Sequence, residues 1–440
     1  MYFLNALAVL VGLSLTPLAA SISDSPLSTS GRWIVDSDGA NVTFAGVNWP
    51  GAADAMLPEG LQYQSIEYIV GKVKELGMNS IRLTFAIEMI DDIYEQGGDV
   101  PIKTSLINAL GEENGTSVYQ DIVSHNDQFG EDTTRLEVFD AVSKECYKQG
   151  IYVHLDNHVS KAKWCCSTND GNSWFGDEFF NVTTWHRGWK YMADHVKDLP
   201  AVKSVGMRNE FRQPDDESTS EEYTWTVWYK NMVENANQIN EANPDLLIFF
   251  SGLNFDTTLA PIPTGEDLGD GTKFNKDDFA FADKIVLELH NYASDTGSCD
   301  SLKSSLYGSG YNALDTQNSS IVNVLPVLLT EFGFSQDDDS YTTVYASCLK
   351  EYLPEVQSGW MVWELGGSYY IREGVQDFDE SWGLLDHTWS DWRSSDAINK
   401  GMIPMVEATL GNEVKPVVQL GRGGEDRKTV SIGPDLHAVS

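Results

Sequence analysis

The strongest constraint on the fold is the alternation of eight short apolar segments with segments of helical spacing. The apolar segments are rich in β-branched residues and lie at residues 42–47, 79–85, 151–155, 202–207, 246–250, 284–289, 326–330 and 360–363. The helical segments lie at residues 66–76, 138–150, 182–196, 223–239, 341–352 and 396–410. Eight strands that alternate with helices predict an α/β fold, a single (β/α)8 TIM barrel. A doubly wound sheet has the same alternation, but no glycine-rich dinucleotide motif follows the first apolar segment.

The barrel is predicted to occupy residues 21–410 as one catalytic domain with long loops on its catalytic face. Residues 88–132 form a long insertion after the second strand, and residues 369–391 form another long loop. Loops of this length are usually functional or disordered. Residues 33–35 and the turn-forming residues 36–39 predict a small hairpin that closes the barrel floor.

The first 20 residues predict a secretory signal peptide. Residues 3–18 are nearly all apolar and are followed by Ala19 and Ala20, which suit cleavage. The run is short for a membrane anchor, and no later stretch is apolar and long enough to span a bilayer. Acceptor triplets for N-glycosylation begin at Asn41, Asn114, Asn181 and Asn318. We therefore expect a secreted, extracellular glycoprotein.

The net charge limits the partners of the chain. A formal charge of -37 excludes nucleic acid and anionic membrane surfaces, because both require clustered Lys and Arg. The charge fits a soluble protein with a neutral substrate, and we expect a monomer.

The five cysteines predict two disulfides and one thiol in an oxidising compartment. Cys146 lies in a helical pattern and is the candidate for the buried thiol. Cys299 is expected to pair with Cys348. The adjacent Cys165 and Cys166 favour a structural disulfide over a metal site, because no second Cys or His pair has ligand spacing.

Two of the apolar segments end in a glutamate. Asn209 and Glu210 follow the fourth strand, and Glu331 follows the seventh strand with Gly333 just after it. Barrel enzymes carry their chemistry at the carboxyl ends of the strands. Glycoside hydrolysis requires two carboxyl groups, one as acid/base and one as nucleophile in a retaining enzyme. Glu210 and Glu331 are therefore the candidate catalytic pair.

The other strand ends carry polar and aromatic side chains that suit a sugar site: Asn48, Trp49, Arg82, His158, Asn209, His290, Tyr292 and Trp363. A cation such as Arg82 and a donor such as Tyr292 would keep the nucleophile ionised. Asn209 suits a hydrogen bond to a sugar hydroxyl, and Trp363 offers an apolar face to a pyranose ring.

Several neighbouring residues have structural interpretations. Asp156 is expected to be a structural partner within the barrel, and His154 is expected to be structural too. The sequence does not decide whether four tryptophans serve as sugar platforms or as loop packing: Trp164, Trp174, Trp382 and Trp389.

These motifs resemble glycoside hydrolase family 5, the cellulase and mannanase family of barrel enzymes. The similarity covers most of residues 30–410 and rests on Ile81-Arg82-Leu83, Asp156-Asn157-His158, Asn209-Glu210, His290-Asn291-Tyr292, Thr330-Glu331-Phe332-Gly333 and Gly359-Trp360-Met361-Val362-Trp363. The resemblance implies that Glu210 is the acid/base and Glu331 the nucleophile. It implies no cofactor and no metal.

One departure points to a branch of the family found in plants and fungi. Most members have Pro directly after the Asn-Glu pair, whereas Phe211, Arg212 and Gln213 intervene here before Pro214. The Trp-Cys-Cys-Ser sequence at residues 164–167 also resembles that branch. The departure bears on the substrate more than on the mechanism.

The sequence therefore predicts a secreted retaining β-glycosidase, with an endo-β-1,4-glucanase acting on a cellulose-like polysaccharide or oligosaccharide as the default. β-Mannanase, exo-β-1,3-glucanase and glycolipid glucosidase remain alternatives of the same fold. A carbohydrate-binding barrel without activity is a further alternative, but such proteins usually lack a catalytic carboxylate, and both are present here.

Residues 411–440 are predicted to be a polar C-terminal tail with one weak strand at residues 414–420. Removing about the last 20 residues should leave folding and activity nearly unchanged, because this segment adds little apolar surface to a core. Thermal unfolding and activity of the truncated protein test this, and a large loss of thermal stability would show that the segment packs on the barrel.

Overall fold

The computed structural model describes residues 22–411 together with Val414 and Val417. The predicted signal peptide and most of the predicted tail, with most of its weak strand, lie outside the described residues. Val417 is buried, and its backbone N–H and C=O both bond to the side chain of Asn399, at 2.8 and 2.9 Å. Val417 therefore packs against the described part of the chain through Asn399.

Eight parallel strands close into a barrel, as predicted. Counting from the N-terminus of the chain, the strands are β1 Ser28–Ser30, β2 Trp33–Val35, β3 Ala45–Trp49, β4 Ser80–Ala86, β5 Tyr152–Val159, β6 Val202–Gly206, β7 Leu247–Phe250, β8 Ile285–His290, β9 Val327–Glu331, β10 Trp360–Val362, β11 Ser368–Arg372 and β12 Val375–Asp379. The barrel contains β3 to β10 in sequence order, and β10 pairs with β3 to close it. All eight predicted strands are confirmed, with bounds that shift by a few residues.

Helices cover the outside of the barrel: α1 Ile66–Glu75, α2 Ile87–Gln96, α3 Ile102–Leu110, α4 Glu112–His125, α5 Arg135–Gln149, α6 Val182–His195, α7 Trp225–Ala242, α8 Pro261–Thr264, α9 Cys299–Ser309, α10 Val344–Glu355, α11 Ser395–Ala397 and α12 Ile403–Leu410. Local sequence explains where they begin. In α1, for example, the Ser65 side chain accepts a hydrogen bond from the Tyr68 N–H, and Ile66, Ile69 and Val73 form the buried face.

The insertion at residues 88–132 was expected to be a loop, and this expectation is wrong. The segment folds into α2, α3 and α4. Its apolar residues form short amphipathic faces, such as Ile102, Leu106 and Leu110 on α3, and Gly111 separates α3 from α4. Each of these patterns is short, so the periodicity along the sequence is weak.

The insertion is joined to a hairpin on the same face of the barrel. Strands β11 and β12 pair in antiparallel fashion within the predicted loop at residues 369–391. The Gln376 side chain donates a hydrogen bond of 2.9 Å to the Leu110 carbonyl and accepts one of 2.5 Å from Asn114. These contacts hold the end of α3 and the start of α4 against β12.

The N-terminal segment closes the barrel floor, but the hairpin turns at a different place from the one predicted. Strands β1 and β2 pair around residues 31–32, whereas the predicted turn at residues 36–39 is spanned by an isolated bridge between Val35 and Asn41. Leu27 and Ile34 pack against the lower interior of the barrel, whose residues are Phe44, Leu247, Phe249, Val286, Leu328 and Met361. The lower barrel is therefore apolar and filled.

The predicted Cys299–Cys348 disulfide is confirmed. It joins the start of α9 to α10 with a Cα–Cα distance of 5.2 Å. Cys146 is a buried free thiol, also as predicted, and burial raises its pKa.

Within the described part of the chain, no helix has the length and apolar character needed to cross a bilayer.

Replacing Cys299 and Cys348 by Ser should lower the free energy of unfolding by about 4 kcal/mol, because the bond closes a loop of 49 residues in the unfolded chain. Denaturant unfolding of the double variant measures this. An unchanged free energy of unfolding would show that the bond contributes no net stability.

Candidate active site

Strand alternation separates a polar upper interior from the apolar floor. Arg82, Asp156 and Glu288 lie at inward-facing positions of β4, β5 and β8 and are almost fully buried. Their outward-facing neighbours, such as Leu83 and Leu155, belong to the core between strands and helices. The barrel therefore brings charged side chains together directly below its carboxyl-terminal opening.

Glu331 is the last residue of β9 and is 4% exposed. One of its carboxylate oxygens accepts a hydrogen bond of 2.6 Å from Arg82, and the other accepts one of 2.8 Å from the Tyr292 hydroxyl. Arg82 and Tyr292 therefore hold both oxygens of this carboxyl group in a fixed orientation.

Glu210 lies just beyond β6, on a left-handed backbone with a φ of 49°. Its N–H donates a hydrogen bond of 2.6 Å to the Asp256 carboxyl group, and its side chain contacts the His290 Nδ1 at 3.0 Å. A non-glycine residue adopts this backbone conformation at a cost, which surrounding contacts such as that to Asp256 must offset.

The two glutamates face each other across His290. Carboxylate oxygens of Glu210 and Glu331 and a ring nitrogen of His290 lie within 4.8 Å of one another. His290 Nδ1 is 3.5 Å from Glu331 as well as 3.0 Å from Glu210. The structure thus brings the candidate pair close enough to act on one bond.

Burial shifts the pKa values of Glu210 and His290 in opposite directions. Burial raises the pKa of Glu210, although the Arg212, His158 and Arg82 charges partly oppose this. Burial lowers the pKa of His290 to about 4, so this imidazole is neutral at neutral pH. Glu210 therefore holds its proton more tightly than an exposed Glu, and it does so beside a neutral ring.

Below the site, two buried carboxyl groups are also disposed to keep their protons. Burial raises the pKa of Glu288 to about 8, and it raises the pKa of Asp256 well above its usual value. For Asp156, burial raises the pKa, but the Arg82 charge and the His158 contact outweigh it, and the net shift is downward.

Arg82 connects most of the predicted site residues. Its guanidinium lies 2.9 Å from Asp156 and donates hydrogen bonds of 2.8 Å to Asn48 and 2.7 Å to Asn209, in addition to that with Glu331. Asp156 also bonds to His158 at 2.8 Å, which agrees with its expected structural role.

Two predicted substrate contacts are corrected, because the polar groups of Asn48 and Trp49 bond to other parts of the protein. Asn48 is fully buried, and its amide donates to the carbonyls of Thr330, Met361 and Val362 while its oxygen accepts from Arg82. Trp49 is also fully buried, and its indole N–H bonds to the Glu59 carbonyl. Alternation along β3 turns Asn48 into the barrel and Trp49 outward, so Asn48 positions Arg82 and Trp49 packs against Trp389.

Trp363 and His158 form one wall of the site. Their rings stack with centroids 5.4 Å apart and an interplanar angle of 9°. Both side chains line a recess with Pro50, Ala52, Ala53, Thr84, Lys163, Trp164, Cys165 and Tyr369. The guanidinium of Arg372 lies 3.5 Å from the ring centroid of Trp164, one of the residues that line the recess.

The four tryptophans left open by the sequence divide into two pairs. Trp174 and Trp389 are fully buried and serve as packing. Trp164 and Trp382 are partly exposed, and Trp382 packs against Tyr292 with ring centroids 5.8 Å apart.

The sequence interpretation missed the contribution of Asp256, which lies in a loop without any motif.

Two groups of side chains have the spacing of metal ligands among the described residues: Glu210 with His290 and Glu331, and His158 with Cys165 and Cys166. At the first, a metal cation would lie beside the Arg82 guanidinium, whose charge disfavours it. At the second, the two cysteines are bonded to each other, so no thiolate is present.

Comparison with known proteins gives the same fold and family. The model of cellulase (glycosyl hydrolase family 5) matches residues 35–368. A glycosyl hydrolase 5 family protein of Chamaecyparis obtusa is 33% identical over 409 residues, covering 90% of this chain and 69% of that protein. An endoglucanase of Paenibacillus polymyxa is 22% identical over 416 residues, covering 90% and 89%.

Among solved structures, the catalytic domain of the major endoglucanase of Xanthomonas campestris superposes with a TM-score of 0.63 at 16% identity, over 88% of this chain and 100% of that one. The cellotetraose complex of a Pyrococcus horikoshii endocellulase variant has a TM-score of 0.63 at 17% identity, with the same coverage. These structures share the barrel fold. With the matching family model and the conifer relative, the chain belongs to glycosyl hydrolase family 5, the cellulase family.

Proposed function

We propose that this glycoside hydrolase is a retaining β-glycosidase that cleaves a β-1,4-glucan internally, as an endoglucanase. The observation that carries the proposal is the pair Glu210 and Glu331, whose carboxylate oxygens lie within 4.8 Å. Retaining enzymes place their carboxyl groups about 5–5.5 Å apart, whereas inverting enzymes leave about 6.5–9.5 Å for a water molecule.

The two environments support different roles for the two carboxyl groups. Glu331, ion-paired with Arg82, attacks the anomeric carbon, while Glu210 gives its proton to the departing glycosidic oxygen. A covalent glycosyl-enzyme results. Glu210 then takes a proton from water, the water oxygen attacks the anomeric carbon, and the Glu331 carboxylate leaves with its electron pair.

The remaining side chains of the site are proposed to hold the sugar. Asn209, His290 and Tyr292 carry polar groups beside the two glutamates. Trp363, stacked on His158, offers an apolar face to the pyranose ring. Arg82 acts on Glu331 and Asn209 without an exposed surface of its own.

The choice of a cellulose-like glucan rests on the relatives. Solved neighbours with the same fold include an endocellulase and a β-glucanase in complex with cellotetraose. A product profile on β-1,4-glucan, β-1,3-glucan, β-mannan and a glucosylceramide tests the choice. Release of single sugars from chain ends of β-1,3-glucan, or preference for mannan or the glycolipid, would replace the endo-β-1,4 assignment by the corresponding one.

We also propose a secreted glycoprotein with a signal peptide at residues 1–20, a catalytic domain at residues 21–410 and a tail at residues 411–440. The Cys299–Cys348 disulfide and the exposed acceptor residues Asn41, Asn114 and Asn181 support an oxidising, glycosylating compartment. A monomer is the proposed functional state.

Replacing each glutamate by Ala should harm the enzyme in different ways. E331A should abolish cleavage of every substrate, because no attacking group remains. E210A should lower cleavage of glucans by about 10²–10⁴-fold, because a sugar leaving group needs a proton, but it should retain the first step with an aryl glycoside. Azide should accelerate E210A with retained product configuration, and it should give inverted product with E331A.

The matched control is Glu241→Ala, which removes an exposed carboxyl group on the outside of the barrel, at the end of α7. This variant should retain full activity. The reverse azide outcomes would exchange the two roles. Full activity of both E210A and E331A would contradict the proposed function itself.

The alkaline limb of the pH profile should belong to Glu210. Its acid form is required in the first step and burial raises its pKa, so kcat/KM on glucan should fall as pH rises through a value above that of an ordinary Glu, about 4.3. The same limb should be missing from E210A assayed with an aryl glycoside. Persistence of the limb in E210A would assign it to another group.

A further inference from the structure

The disulfide between Cys165 and Cys166 lies in the loop after β5 and joins neighbouring residues. A disulfide stabilises a fold mainly by closing a loop in the unfolded chain, and a bond at a sequence separation of 1 closes no such loop. Loop-closure entropy, which accounts for the Cys299–Cys348 bond, therefore does not explain this one.

The loop is also held by other contacts. Arg212 donates a hydrogen bond of 2.8 Å to the Ser167 carbonyl and pairs with Asp170 at 2.5 Å. The Asn172 side chain accepts hydrogen bonds from the N–H groups of Ser160 and Lys161 at 3.0 and 2.9 Å. Both ends of the loop are thus fixed without the sulfur–sulfur bond.

What the disulfide contacts is Asn209. The Asn209 Nδ2 lies 3.4 Å from the Cys166 Sγ and 3.7 Å from the Cys165 Sγ, and its Oδ1 accepts the hydrogen bond of 2.7 Å from Arg82. Because the two sulfurs are bonded to each other, one amide hydrogen can point at both. The amide plane is therefore held at both ends, by Arg82 at its oxygen and by the two sulfurs at its nitrogen.

Sulfur is a weak hydrogen-bond acceptor. The two sulfurs therefore orient the Asn209 amide but compete little with a substrate oxygen for its N–H groups. Two free thiols would differ in two respects. They would need more room than a bonded pair, and they would bring hydrogen donors towards the amide N–H groups. The oxidised pair is therefore the form that suits this orientation of the Asn209 amide.

We propose that the Cys165–Cys166 disulfide is a positioning element of the sugar site, which holds the Asn209 amide towards the 2-hydroxyl of the sugar attacked by Glu331. The inference rests on the proposed glycosidase function. Its effect is confined to interactions that Asn209 makes, because a hydrogen bond to the 2-hydroxyl strengthens in the transition state. Cys165 and Cys166 themselves transfer no proton and attack no bond.

The test compares an aryl β-cellobioside with the same compound lacking the 2-hydroxyl on the sugar that carries the aryl group. For Cys165→Ser/Cys166→Ser, kcat on the full substrate should fall on the order of tenfold to a hundredfold, because a misplaced group loses its orientation. The rate on the 2-deoxy substrate should change little. Asn209→Ala should show the same loss, and adding both Ser substitutions to it should cause no further loss.

The matched control is Cys299→Ser/Cys348→Ser, which breaks a disulfide between α9 and α10. This control should lower thermal stability and leave the ratio of the two substrate rates unchanged. Equal losses on both substrates for the Cys165/Cys166 variant, or an unchanged ratio, would overturn the proposal. A further loss in the Asn209→Ala background would overturn it too.

A second measurement covers the case in which the variant does not fold. The folded Cys299→Ser/Cys348→Ser protein is treated with a water-soluble phosphine. The phosphine gives two electrons to the remaining disulfide and takes the oxygen of a water molecule to become a phosphine oxide, and the two protons of that water complete the two thiols. The rate on the full substrate divided by the rate on the 2-deoxy substrate should fall on reduction and should recover on reoxidation. An unchanged ratio after complete reduction, counted by thiol titration, contradicts the proposal. If the untreated wild-type protein cleaves neither substrate, the proposed glycosidase function fails instead.

Discussion

The upper half of the barrel depends on one buried cation. Arg82 is fully removed from water, which by itself is costly, and it persists because Asp156 and Glu331 lie at 2.9 and 2.6 Å. The remaining guanidinium contacts go to Asn48 and Asn209. Through these partners a single side chain fixes the glutamate on β9, the amide beside Glu210 and, by way of Asp156, the imidazole that supports Trp363.

The groups around this cation stay compatible because several of them are neutral. The raised pKa values of Glu288 and Asp256 and the lowered pKa of His290 all follow from burial. If the carboxyl groups were all ionised at neutral pH, Glu288, Asp256, Asp156, Glu210 and Glu331 would form a cluster of carboxylates around Arg82. Burial thus leaves the strongest charge interaction between Arg82, Asp156 and Glu331, and it raises the pKa of Glu210 beside them.

Much of the fold and the catalytic pair could be predicted from sequence because strand ends are regular positions. Glu210, Glu331 and His290 each follow a recognisable apolar run, and a closed barrel brings such ends to one opening. Trp49 shows the limit: one residue beyond Asn48, it faces the opposite side of the strand, so adjacency along the chain misassigned it. The relation of Cys165 to Asn209 depends on a loop folding back over the opening, and no periodic pattern records that.

The joint between α3, α4 and β12 has a consequence for how the protein is produced. Asn114 is the first residue of an Asn-x-Ser/Thr triplet, is exposed, and donates its side-chain amide to Gln376. A glycan attached there would occupy the same nitrogen and leave it one hydrogen instead of two. Material from a bacterial host would keep the bare amide on Gln376, whereas material from a eukaryotic host that modifies Asn114 would carry a branched sugar chain at this joint. The expression host therefore determines whether the contact between the α3–α4 insertion and the β11–β12 hairpin carries a glycan.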